Sequence, residues 1–128
     1  MKRLLLLISF AEVSLLYNCA LLLSVTLNLA WAKPRAAGGQ FETFPIGIRI
    51  IYLGMFVGMI FLMFFLWRHR IHPLDPAGAR LSRIVGYVFS ASTLVQLISR
   101  SSQERFNALP AAVIALTFLS LAARDRKR

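Results

Sequence analysis

The chain has 128 residues, enough for one domain, and 58% of them are hydrophobic, against about 45–50% in soluble domains. Charged residues make up 16% and the net charge is +10. This balance excludes an ordinary water-soluble core. The basic residues fall in short clusters ("MKR", "KPR", "RHR", "GARLSR", "RDRKR") between apolar runs, which excludes a basic nucleic-acid-binding face and suits anionic lipid headgroups.

A membrane-crossing helix needs about 20 apolar residues. Four segments meet or approach that length: about 4–31, 46–67, 81–100 and 103–123. The pattern predicts an all-α integral membrane four-helix bundle, residues 1–128 forming a single membrane domain. The first segment follows a basic start and contains Ala30-Trp31-Ala32, which has the small-x-small form of a cleavage site. Its apolar run is about twice the 7–15 residues of a signal core, so an uncleaved signal anchor is expected.

The first connection, "KPRAAGGQFETFP", reads as a loop from its prolines and Gly-Gly pair. In the second, Asp75 suits an N-cap and Pro76 the first helical position, where its missing N–H is no loss. Ser101 and Glu104 fit a capping box opening the fourth helix, so helices three and four should form a tight hairpin. Pro110 should kink the fourth helix. Lys2, Arg3, Arg68, Arg70, Arg80, Arg83, Arg124, Arg126, Lys127 and Arg128 would share one side of a four-span protein. Only Lys33, Arg35, Arg49, Arg100 and Arg105 would face the other. The positive-inside rule then places both termini on the cytoplasmic side, with Trp31 and Trp67 as interfacial anchors. Arg68, Arg70, Arg124, Arg126, Lys127 and Arg128 are the expected headgroup contacts.

Glu12 lies inside the first span. A carboxylate there is costly and asks for a partner. The candidates are Arg83, Tyr87 and Ser90 on the third span. Glu12 either fastens helices or couples a proton or cation. On the second span, Gly54 and Gly58, with Gly47 two turns earlier, form a small-residue face suited to close helix contact. Gly86 offers the same on the third. Ser90, Thr93, Gln96 and Arg100 make a polar docking face there. Met55, Met59 and Met63 form a packing stripe, and Cys19 reads as a small buried hydrophobe. His69 and His72 fall outside the spans, so no bis-histidine haem is expected. No metal cluster, nucleophile–base set or phosphate loop is present in the sequence, and no enzyme is expected.

The stretch "FAEV", containing Glu12, resembles the first helix of the small multidrug-resistance exporters. That resemblance implies an oligomeric four-span transporter with Glu12 as its coupling carboxylate. The stretch "FLWRHRIHP" resembles part of the four-span assembly protein encoded with bacterial ATP synthases, which implies an assembly role. The expected function is a non-catalytic accessory or assembly subunit of a larger membrane complex, respiratory, photosynthetic or ATP synthase. It would reside in a bacterial inner membrane or an equivalent energy-transducing membrane. The alternative is the proton-coupled transporter, working as a homo-oligomer. Expected partners are other membrane subunits and anionic lipids. No cofactor is expected, though the interface leaves room for a lipid or pigment.

Overall fold

A computed structural model describes residues 1–126, and every regular element in it is helical. The order is α1 (Lys2–Thr26), two short 3-10 turns (Ala30–Arg35 and Ala37–Gly39), α2 (Ile46–His69), α3 (Pro76–Leu97), α4 (Ser102–Arg105) and α5 (Ala108–Arg126). Three segments are long and apolar enough to cross a membrane: Lys2–Thr26, Ile46–His69 and Ser102–Arg126. α3 has 22 residues, about 33 Å at 1.5 Å each, but is too polar to qualify on composition.

α1 stops at Thr26, several residues short of the end of the apolar run. Asn28 takes the left-handed conformation, with φ 57°. Its N–H donates to the Val25 carbonyl at 2.9 Å, and the Leu29 N–H donates to the Ser24 carbonyl at 2.8 Å. This is the Schellman arrangement, which ends a helix by satisfying its last carbonyls. Asparagine is one of the few non-glycine residues that adopt this backbone readily. Its Oδ1 also accepts the Phe44 N–H at 3.0 Å, pinning the far end of the loop to the helix stop.

α3 opens where the sequence indicates. Asp75 Oδ1 accepts the Gly78 N–H at 2.9 Å, and Pro76 occupies the first turn. Half of the expected capping box forms at α4. Ser101 Oγ accepts the Glu104 N–H at 3.2 Å, but the Glu104 carboxylate turns elsewhere. The expected fourth helix is broken at Phe106–Asn107, ahead of Pro110. Proline cannot donate to the carbonyl four residues back and clashes with it. Starting α5 at Ala108 leaves Pro110 in a first turn, where neither cost arises.

The bundle is an open chain of contacts. α2 packs on α1, α1 on α5, and α5 on α3, the last being the most extensive interface. Its closeness depends on Gly86: a Cβ there would lie 2.6 Å from the Leu119 side chain. The core runs through Ile8, Leu15, Leu66, Ile114 and Phe118, all essentially buried. The Phe65 and Phe118 rings stack at 6.0 Å between α2 and α5. The buried Thr117 hydroxyl donates to the Val113 carbonyl at 2.8 Å and lies 3.1 Å from the Leu7 carbonyl of α1. Outside this core, large apolar side chains such as Phe10, Val13, Ile50, Phe64 and Leu94 are exposed. An apolar surface on several helices is stable only where hydrocarbon or a partner covers it.

Candidate functional site

Two polar ends and one lateral cleft hold the groups with chemical capacity. At the end of α2, Arg70 turns back along the bundle. Its Nη2 donates to Glu12 Oε2 at 2.6 Å and to Ser9 Oγ at 3.1 Å. The two side chains are 32% and 22% exposed, so the pair is largely withdrawn into the bundle. The expected partners are therefore corrected. Arg83, Tyr87 and Ser90 lie on α3, whereas the extensive neighbours of α1 are α2 and α5. Tyr87 points outward, and the Ser90 hydroxyl donates to the Gly86 carbonyl of its own helix at 2.8 Å. Arg70, expected at a headgroup, is engaged by Glu12 through Nη2, while its Nε is buried without a hydrogen-bond partner among the described residues. The sequence order concealed the pair: Arg70 lies just beyond the last residue of α2, and a long guanidinium side chain can reach back to a carboxylate inside the bundle.

At the opposite end, loops are tied to helices by side chains that the sequence reading named only in other roles, such as Ser101 and Glu104, or did not name, such as Tyr17 and Asn107. Asn107, 3% exposed, accepts the Tyr17 hydroxyl at Oδ1 at 2.5 Å and donates from Nδ2 to the Arg35 carbonyl at 2.8 Å. The Glu104 carboxylate accepts the Gly38 N–H at 2.8 Å and the Ser99 hydroxyl at 2.6 Å. Ser101 donates to the Pro34 carbonyl. Arg49 Nε donates to the Thr26 carbonyl at 2.7 Å, and the Arg35 guanidinium lies 5.4 Å over the Trp31 ring. The signal for this cluster was the isolated Asn107 at the mouth of an apolar run, since a buried amide requires partners.

Between α2 and α3 runs the cleft. Toward the loop end, a cavity of about 420 Å³ is walled by Met55, Gly58 and Leu62 of α2 and by Val88, Ser92 and Gln96 of α3. Toward the other end, a cavity of about 540 Å³ is walled by Phe61, Phe64 and Phe65 and reaches Arg68, His69 and His72. Phe61 and Leu81 line both, so the two cavities form one groove along the bundle.

The small-residue face of α2 opens outward instead of packing internally. A Cβ at Gly47, Gly54 or Gly58 would meet no atom within 4 Å. α2 instead buries Leu62, Phe65 and Leu66. The polar face of α3 also divides. Gln96 lines the cleft, and its Oε1 is buried without a hydrogen-bond partner among the described residues. Thr93 donates to the Phe89 carbonyl at 2.8 Å, and Arg100 is exposed. Arg68, Arg124 and Arg126 are exposed at helix ends, while Lys127 and Arg128 lie outside the described residues. His69 is the last residue of α2, against Phe65 at a ring distance of 4.5 Å. The Cys19 Sγ lies 3.9 Å from the Met63 Sδ. Among the described residues, no three metal-ligating side chains gather.

No family model, curated protein or solved structure matches this chain.

Proposed function

We propose that this chain is a non-catalytic accessory or assembly subunit of a larger membrane protein complex. The observation that carries the reading is the state of α2. It is the most apolar of the three candidate spans, yet only 17% of its apolar window is buried. Its glycine face is open, and Gly58 of that face lines the groove in which Gln96 offers an unpartnered acceptor. Small residues let a second helix approach closely, and a buried amide oxygen gains from a donor on that helix. A transmembrane helix of a partner subunit, laid against Gly54 and Gly58, satisfies both.

The same reading gives four crossings. α3 lies along α5 through their most extensive contact, so a membrane crossed by one encloses the other. Both termini then face the cytoplasmic side, in a bacterial inner membrane or an equivalent energy-transducing membrane, because the basic excess lies there. The ion pair favours fastening over coupling. Glu12 already has a counter-ion in Arg70, whereas a coupling carboxylate must exchange its proton or cation freely.

Affinity purification in mild detergent, with mass analysis of what is retained, tests the reading. A subunit brings down larger membrane proteins in fixed ratio and loses them on Gly54→Leu or Gly58→Leu. A homodimer that moves substrate into liposomes with pH dependence would replace it with the transporter.

A further inference from the structure

We infer that the wider half of the α2–α3 cleft is a seat for one anionic phospholipid, its acyl chain against the phenylalanines and its phosphate at Arg68. The inference stands apart from the subunit reading, which concerns the other half of the groove.

The shape comes first. This half holds about 540 Å³ and is walled by the last turns of α2, where that helix still presents apolar residues, and by the first turns of α3. Protein interiors and bilayers do not leave such volumes empty, because an unfilled wall loses its dispersion contacts. Water is a poor occupant of walls made by Phe61, Phe64, Phe65 and Leu81, which offer it no hydrogen bonds. An acyl chain matches them.

The charge is arranged along the same axis. One end of the cavity is apolar, and the other carries Arg68, His69 and His72. Among the described residues, Arg68 has no acidic partner; the ion pair in this region belongs to Arg70. Asp75 also reaches the cavity, but its carboxylate is turned onto the Gly78 N–H at 2.9 Å. The His69 Nδ1 faces the His72 carbonyl at 3.2 Å, which holds the histidine-bearing loop beside Arg68. Trp67, exposed beside Arg68, suits the headgroup level. A cation at the polar end of an apolar slot complements a phosphodiester on an acyl chain and gives a zwitterionic headgroup less.

The test uses the full chain purified in mild detergent, with lipid retention read by native mass spectrometry. Phosphatidylglycerol and phosphatidylcholine are offered at equal concentration. The wild type should retain phosphatidylglycerol roughly fivefold better or more, as one lipid per chain. Arg68→Gln combined with His72→Gln should bring the two lipids level. Arg100→Gln combined with Arg105→Gln also removes basic charge, but at the opposite end of the bundle, and should leave the preference within about twofold. Leu81→Trp should fill the slot and expel both lipids, with helicity by circular dichroism confirming the fold. Equal retention of the two lipids by the wild type overturns the seat. So does equal damage from the control pair, which would mean general surface attraction, or full retention after Leu81→Trp. Displacement by inorganic phosphate in tenfold excess would assign the site to a free anion and end the lipid assignment.

Discussion

α5 and α2 are both apolar enough to cross a membrane, yet half of the apolar window of the segment containing α5 is buried and only 17% of that of α2. α5 meets α1 and α3 and carries the centre of the core, Ile114, Thr117 and Phe118. α2 has one inner edge and shows the rest to its surroundings. In water the more apolar helix would be the deeper one. Where hydrocarbon is the solvent, apolarity marks contact with lipid as readily as contact with protein. Small and polar residues mark the seams instead.

The largest expected effect lies at the ion pair that ties the end of α2 to the middle of α1. Arg70→Leu leaves Glu12 without its partner and should cost about 3–5 kcal/mol in denaturant unfolding of the detergent-solubilised protein. The double change Glu12→Gln with Arg70→Gln should recover much of that loss, because no bare charge remains. Next, Phe118→Ala on α5 should cost about 3–5 kcal/mol, whereas Phe64→Ala on the outer face of α2 should stay within about 0.5 kcal/mol. Equal losses would erase the contrast between the helices. Gly86→Leu drives atoms into Leu119 and should cost about 1–3 kcal/mol, with thermal unfolding as the readout. Gly54→Leu meets open space and should leave the isolated protein unchanged while removing the partner. A smaller loss than that at Gly86 is expected at the helix stop. Asn28→Ala should cost about 1–2 kcal/mol from its left-handed backbone, and Asn28→Gly should cost less.

Apolar runs and their turn chemistry made the helices legible. Asp75 and Pro76 mark the start of α3, and Ser101 the start of α4, because caps are local and obey local rules. The end of α1 was equally local, yet the hydropathy run drew attention past Asn28. The order of packing was not legible. Which helix faces Glu12 depends on the crossing of α1 with α2 and α5, and periodicity carries no such information. The glycine pair in α2 and Gly86 in α3 look alike in sequence. One meets nothing, and the other meets Leu119. The difference is set by neighbours more than thirty residues away, as is the role of Asn107, which joins Tyr17 to Arg35.

The tie between Glu12 and Arg70 also constrains how the protein is made. The two residues are 58 positions apart. A ribosome delivers the acid long before the guanidinium exists. Until then the carboxylate on α1 lacks the counter-ion that it has in the folded chain. The contact can therefore close only once α2 is complete, and it joins α1 and α2 as one hairpin unit.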